Sequence, residues 1–221
     1  NETACVIVKH NNPCGAAIHE NQLQAYIDAR DCDPVSAFGG IVAFNTKVSK
    51  NVAEEISKTF IEVLIAPDYD SEAMEILAKK QNLRVLKSPE IIKSTKSSKD
   101  IKKVVGGVLY QDADDTSDED FEDYKVATKK QPSPEEIETL KLAWKICKNV
   151  KSNAIVFAKD NKTVGIGAGQ MNRVNSVQLA TIKASEHYGT EGSVLASDAF
   201  FPFRDGIDEA AKAGVKAIVQ P

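Results

Sequence analysis

Short apolar runs recur along the chain, separated by segments with helical periodicity. The runs cover residues 5–8, 41–44, 63–66, 104–109, 154–158, 194–196 and 217–219, and the helical segments cover residues 23–30, 51–60, 71–81, 176–188 and 206–213. Runs of this length without polar alternation are typical of strands buried on both faces. The alternation predicts an α/β fold with mixed, largely parallel sheets.

The clearest helix covers residues 134–149, with Ile137, Leu140, Trp144 and Cys147 forming one apolar stripe. Ser133 and Glu136 form a predicted capping box around Pro134. We predict a first unit over residues 1–128, a connecting helix over 129–149 and a second unit over 150–221. Because the chain opens on Asn1 and ends on a strand-like run, we expect it to be a piece of a longer protein whose second unit is truncated.

Composition narrows the class of protein. The 221 residues are 42% hydrophobic and 27% charged, which excludes a fibrous or wholly disordered chain. A net charge of -4 argues against a general nucleic-acid binder, and no apolar stretch is long enough to span a membrane. The four cysteines at uneven spacings indicate no disulfide framework, so we expect a soluble protein in a reducing cytoplasm.

Charged segments occur in the middle of the chain. Residues 93–103 carry five lysines and one aspartate, and residues 112–123 carry eight acids. Such runs are more often a solvated surface loop than a binding site.

Two motifs favour structural roles over chemistry. Gly165, Gly167 and Gly169 resemble a dinucleotide-binding turn, but Gln170 replaces the next glycine. We therefore favour a glycine-rich turn where the backbone passes close to a ligand or to another strand. Cys14 follows Pro13 as in zinc deaminases, but Ala17 stands where the second cysteine is needed, which makes a catalytic zinc improbable.

Two other segments suit a reaction centre. Lys9-His10-Asn11-Asn12 follows an apolar strand directly, and a histidine can take a proton at neutral pH while a lysine stabilises an oxyanion. A surface Lys-His pair at the start of a loop is the open alternative. Residues 197–205 contain three phenylalanines between charged residues, which could sandwich a flat heterocycle; core aromatics in a loop are the alternative.

Together, Lys9–Gly15, residues 33–40, Ser152-Asn153, residues 165–173 and residues 197–205 resemble the transformylase part of the AICAR transformylase / IMP cyclohydrolase family, in the same order. The resemblance covers essentially the whole chain. It implies two cytidine-deaminase-like α/β/α units, no catalytic metal, and a homodimer with active sites at the subunit interface. The implied reaction transfers a formyl group from 10-formyltetrahydrofolate to the 5-amino group of AICAR ribonucleotide, a step of purine biosynthesis.

The resemblance also implies roles for individual residues. His10 matches the proton acceptor, Lys9 the transition-state stabiliser and Asn153 an orienting amide. The implied substrate contacts are Asn12, Phe38, Gly39, Arg173, Val174, Phe200, Phe203 and Asp205, and the implied folate contacts are Glu62 and Gln170.

Departures from the family pattern matter as well. The Arg-Tyr-Gly-Glu-Asn-Pro-His-Gln stretch of the family, the segment beyond the final strand and the cyclohydrolase half are absent from this sequence. We therefore expect the fragment alone to turn over poorly. A catalytically silent nucleotide-binding or dimerisation module is the alternative function.

Overall fold

The computed structural model describes residues 2–89, 99–114, 121 and 123–221. The strands within these ranges are β1 (Thr3–Lys9), β2 (Asn12–His19), β3 (Ile41–Phe44), β4 (Val63–Ala66), β5 (Arg84–Lys87), β6 (Lys99–Val104), β7 (Gly107–Asp112), β8 (Ile155–Lys159), β9 (Lys162–Gly167), β10 (Val194–Ser197) and β11 (Ala217–Val219). The helices are α1 (Gln22–Asp31), α2 (Pro34–Ala37), α3 (Lys50–Ser57), α4 (Ser71–Leu77), α5 (Pro134–Cys147), α6 (Arg173–Ser185) and α7 (Arg204–Lys212).

Nine of these strands form one mixed sheet in the order β11-β10-β8-β9-β2-β1-β3-β4-β5. The prediction of a largely parallel sheet is wrong, because five of the neighbouring pairs among the described strands are antiparallel and three are parallel. The reason is a pair of two-residue turns, His10-Asn11 and Asp160-Asn161, in which all four residues have positive φ. Such turns join only antiparallel strands, and the expectation of a loop after Lys9 therefore missed β2.

The two halves of the sheet repeat one topology. In the first half, β1 pairs antiparallel with β2 and β3, and β3 pairs parallel with β4. In the second half, β8 pairs antiparallel with β9 and β10, and β10 pairs parallel with β11. The halves join where β2 runs antiparallel to β9 and the amide of Ile18 donates to the carbonyl of Asn161 at 2.9 Å. The sheet is thus continuous across the predicted unit boundary, and the division into units stays a prediction.

Helix α5 starts as predicted and covers the second half of the sheet. Ser133 and Glu136 form the predicted capping box, with the Ser133 amide donating to the Glu136 carboxylate at 2.8 Å. The buried face is broader than the predicted stripe: it adds Ala143 and Ile146 and leaves Trp144 only half-buried. These side chains pack on β8 and β10 and form one core with them.

The predicted strand over residues 104–109 is wrong. This run spans the turn at Val105-Gly106 between β6 and β7, which form a separate hairpin whose residues are exposed except Asp100. Gly106 has a φ of +83°, a conformation that occurs in turns but not in regular strands. Of the two charged segments, residues 93–98, 115–120 and 122 lie outside the described residues.

Candidate active site

The motif residues gather at one end of the sheet, which we call the site end. β1, β9, β10 and β11 finish there, and β2, β3, β4, β5 and β8 begin there, as the strand pairings require. The turns and loops at this end, together with the strand and helix ends next to them, carry all the predicted site residues. The register of the sheet therefore brings together residues that are far apart in the sequence.

The Lys9 ammonium is fixed at the site end by backbone carbonyls. It donates to the carbonyls of Phe38 and Gly39, each at 2.9 Å. Gly39 has a φ of +67°, and a Cβ at that residue would lie 2.8 Å from the Lys9 Nζ. Only glycine suits this position, because a side chain would both strain the backbone and displace the ammonium.

His10 lies in the turn after Lys9, and Asn12 follows that turn. The imidazole of His10 is exposed, in a residue with a φ of +49°. The Asn12 Oδ1 accepts from the Lys151 amide at 2.9 Å. This bond ties the Lys9-His10 turn to the segment that holds Asn153, so the two motifs adjoin.

A hydrogen-bonded cluster surrounds Asn153. The Arg173 guanidinium donates to Asn153 Oδ1 at 2.7 Å and to Ser197 Oγ at 2.9 Å, and it forms an ion pair with Asp198. The Asn153 Nδ2 donates to the Gln170 carbonyl at 2.8 Å. These contacts fix the orientation of the Asn153 amide.

Asp198 is the acidic member of this cluster. It accepts from Ser152 Oγ at 2.5 Å and from the Ala154 amide at 3.0 Å. Burial works to raise the pKa of the Asp198 carboxyl, but the hydrogen bonds from Ser152 and Arg173 outweigh it and lower the pKa. Asp198 is therefore an anion that positions Arg173. Sequence reasoning missed this role although Asp198 lies within the aromatic motif.

The three phenylalanines after β10 differ in their environments. Phe200 and Phe203 are 62% and 73% exposed. Phe201 packs instead against the core formed by α6 and the second half of the sheet, where it contacts Gly206. Asp205 is exposed, and its Oδ1 accepts from the Gly206 amide at 2.8 Å. Phe200 and Phe203 are thus accessible to a ligand, and Phe201 anchors the loop.

A second aromatic pair lies beside Lys9. The rings of Phe38 and Phe60 have centroids 5.4 Å apart, and the Gly39 amide donates to the Phe60 carbonyl at 2.8 Å. Phe60 was predicted as the end of a helix, but α3 stops at Ser57 and leaves Phe60 in the following loop. The predicted folate contact Glu62 is exposed next to this loop.

The remaining predicted ligand contacts, Gln170 and Val174, are half-buried at the start of α6. The Gln170 Nε2 donates to the Ala168 carbonyl at 3.1 Å. Both residues lie within the loop and helix start that carry Arg173.

The glycine motif has the close-packing role that the sequence favoured. A Cβ on Gly165 would lie 2.2 Å from the Ala180 carbonyl oxygen, and one on Gly167 would lie 2.0 Å from that of Ser176. Helix α6 thus rests directly on the backbone of β9.

Cys14 is not placed as a metal ligand. It is buried, its Sγ donates to the Ile7 carbonyl at 3.5 Å, and burial raises the pKa of its thiol to about 12. Over the described ranges, no group of three or more histidine, cysteine or acidic side chains could hold a metal ion. Among the same residues, no helix is both long and apolar enough to cross a membrane.

Comparison with known proteins gives a consistent set of relatives. The family described as AICARFT/IMPCHase bienzyme matches residues 1–183. The chain is 51% identical to the bifunctional purine biosynthesis protein PurH of Magnetococcus marinus and 49% identical to that of Aquifex aeolicus, over 99% and 100% of its own length. It spans only 43% and 42% of those two proteins. Among solved structures, a dCMP deaminase from the cyanophage S-TIM5 is similar at a TM-score of 0.33 and 11% identity, over 39% of this chain and 79% of the deaminase.

Proposed function

Because the chain belongs to the AICARFT/IMPCHase bienzyme family, we propose that it carries the formyltransferase activity of that family. The reaction moves a formyl group from 10-formyltetrahydrofolate to the 5-amino group of AICAR ribonucleotide, in the synthesis of IMP. The full-length protein would also have the IMP cyclohydrolase activity. One observation carries the proposal: the Asn12–Lys151 hydrogen bond places the Lys9-His10 turn beside the segment that holds Asn153.

Proton transfer and charge stabilisation are the chemical needs of this reaction. The amine is a poor nucleophile because its lone pair is delocalised into the imidazole carboxamide. As nitrogen attacks the formyl carbon, His10 accepts the amine proton and Lys9 stabilises the negative charge that forms on the formyl oxygen. The carbon–N10 bond of the folate then breaks, and the proton held by His10 goes to N10. No metal or other cofactor takes part in this scheme.

The geometry of Lys9 suits an oxyanion. Two of its three N–H bonds go to the carbonyls of Phe38 and Gly39, which, within the described ranges, leaves one donor for the substrate. Because the ammonium is already held in place, no side-chain entropy is lost when charge develops.

The remaining site residues position the substrates. Asn153 would orient the carboxamide or His10. Arg173 uses three of its five N–H bonds on Asp198, Ser197 and Asn153, so two donors remain among the described residues for a carboxylate or phosphate. Phe38, Phe200 and Phe203 would pack on the aminoimidazole, and Asp205 would accept from it. Glu62 and Gln170 would contact the folate, and Val174 would contact the AICAR ribonucleotide.

A histidine exchange tests the assignment. We expect His10→Ala, made in the full-length protein, to lower kcat for formyl transfer by about 10²–10⁴-fold, because a general base is lost. His187→Ala is the matched control, since His187 is exposed beyond the other end of α6. Activity of His10→Ala within a few-fold of wild type would show that His10 is not the base.

Calorimetry separates the enzyme from a silent module. A formyltransferase binds AICAR ribonucleotide with saturable heat and transfers the formyl group. Binding without transfer in the full-length protein would favour the nucleotide-binding module, and no saturable heat would favour a dimerisation module.

We further infer two deaminase-like units and a cytoplasmic homodimer. The repeated strand order of the two halves supports the units. Hairpin β6–β7 supports the dimer, because Ile101, Val108 and Tyr110 lie on one of its faces and are 60%, 61% and 64% exposed. An isolated hairpin is marginally stable in water, so a second copy of the chain would cover this face. Light scattering should show a dimer for wild type and a shift towards monomer for Ile101→Lys; a wild-type monomer would contradict the inference.

A further inference from the structure

A cavity of about 430 Å³ opens between the loops that follow α3 and α4. It is lined by residues 56–61 and 79–83. These loops lead into β4 and β5, which both begin at the site end, so the cavity lies at the same end of the sheet as Lys9. Its volume falls in the range of about 300–1,000 Å³ typical of small-molecule sites.

The charge of the cavity lining is positive. Lys58, Lys79 and Lys80 contribute to it, and all three side chains are largely exposed. Lys58 pairs with Glu55 at 2.6 Å, whereas Lys79 and Lys80 have no carboxylate partner over the described ranges. Gln81 and Asn82 add amide donors. Two unpaired ammonium groups with neighbouring amides favour an anionic ligand.

One residue of the cavity lining, Phe60, also adjoins the candidate active site. Phe60 lines the cavity and also contacts Phe38. Its ring lies 3.3 Å from the Cβ that a side chain at Gly39 would have, and the Gly39 carbonyl binds the Lys9 ammonium. An elongated ligand with its reacting end at Lys9 could therefore lie along the two aromatic rings and reach the lysines.

We propose that this cavity binds the anionic terminal group of a substrate whose reacting end lies at Lys9. The group is a carboxylate, as in the glutamate tail of a folate, or a phosphate, as in a nucleotide. The inference rests on the proposed function, because it takes the reacting end of the ligand to be at Lys9. It adds a binding site for the opposite end of that ligand.

The test removes two charges from the cavity. The double variant K79Q/K80Q removes both charges, keeps both side chains polar, and is made in the full-length protein. The control is K129Q/K130Q, which removes the same charge from two adjacent exposed lysines outside the cavity. The KM for AICAR ribonucleotide and for formyl donors with one and with several γ-linked glutamates is measured for each protein.

Three kinetic outcomes are distinguishable. A rise of about tenfold or more in the KM of the formyl donor, greatest for the polyglutamate form and with kcat unchanged, identifies the carboxylate tail. A similar rise for AICAR ribonucleotide, with no change for the nucleoside that lacks the phosphate, identifies the phosphate. Changes below about twofold for both substrates, or equal changes in the control, overturn the proposal.

A binding measurement separates this proposal from the proposed function. Calorimetry with tripolyphosphate and with γ-linked tetraglutamate measures how tightly the cavity binds an anion, without any turnover. Weaker binding of either anion to K79Q/K80Q than to the control supports anion binding by the cavity, even if the wild-type protein transfers no formyl group. Equal binding to both variants, or no binding to wild type, refutes it whatever the activity.

Discussion

Replacement of Gly165 by alanine tests the contact that seats α6 on the sheet. The added Cβ would lie 2.2 Å from the Ala180 carbonyl oxygen and 3.0 Å from both the amide nitrogen and the Cβ of Ala184. Because the nearest atom is helix backbone, the clash cannot be relieved by a side-chain rotation. Helix α6 must move away from β9 by about 1 Å, which separates a core that includes Val177 and Leu195.

Two opposing effects set the change in the free energy of unfolding caused by Gly165→Ala. Overpacking of a core costs about 1–3 kcal/mol, and a backbone clash belongs at the upper end of that range. The lower unfolded-state entropy of alanine offsets about 0.4–1 kcal/mol. The net loss is about 2 kcal/mol, which corresponds to a fall in Tm of about 4–8 °C for a chain of this size.

Thermal unfolding followed by circular dichroism measures this shift. Gly107→Ala is the control, because no atom of the described residues lies within 4 Å of the Cβ it would add and its φ is not positive. We expect the control to change Tm by less than about 2 °C. A Gly165→Ala protein with the wild-type Tm would refute the close-packing explanation of the glycine motif.

Three further predictions concern single positions at the site end. Asp198→Asn should lower stability by about 3 kcal/mol at pH 7, because it leaves the largely buried guanidinium that pairs with Asp198 uncompensated. The pKa of Asp198 is lowered in the folded state, so the stabilisation that its carboxylate provides is present above its unfolded pKa of ~3.9 and is lost as pH falls below that value. In urea unfolding, the difference in free energy of unfolding between wild type and Asp198→Asn should therefore narrow below about pH 4. The same difference at pH 3 as at pH 7 would contradict this. Gly39→Ala should lower formyl transfer at least about tenfold by displacing the Lys9 ammonium. Gly189 has a φ of +70° and no atom of the part of the chain that the structure describes within 4 Å of an added Cβ, so Gly189→Ala should carry the same backbone strain without loss of activity. Equal activity of the two variants would count against the fixed ammonium. Phe200→Ala should leave Tm within about 2 °C of wild type in a melting experiment, whereas Phe201→Ala should lower it by several degrees; the reverse order would mean that the wrong ring has been assigned to the core.

Local signals in the sequence located most elements. The strands Ile41–Phe44, Val63–Ala66 and Ala217–Val219 have the predicted bounds, because short apolar runs between polar segments mark both strand ends. The start of α5 is also as predicted, since a capping box is a contact between residues three apart. The order of the motifs was enough to indicate the family, which the comparisons confirm.

Strand direction could not be predicted from apolar runs alone. A run of four apolar residues looks the same in a parallel and an antiparallel strand. The signal that decides the direction lies in the turns, where His10-Asn11 and Asp160-Asn161 adopt positive φ. Both β2 and β9 contain glycine within an otherwise strand-like run, which obscured them.

The sequence by itself determined most of the elements, the family and the residues that could do chemistry. The tertiary structure decided which of those residues meet and which of them a ligand can reach. Arg173 pairs with Asp198, 25 residues away, and Asn12 accepts from Lys151, 139 residues away. Phe200 and Phe201 are adjacent, but only Phe201 packs into the core. The physical reason is that pairing and burial depend on strand register and on the helix that covers each strand, and these contacts are not encoded in any single local segment.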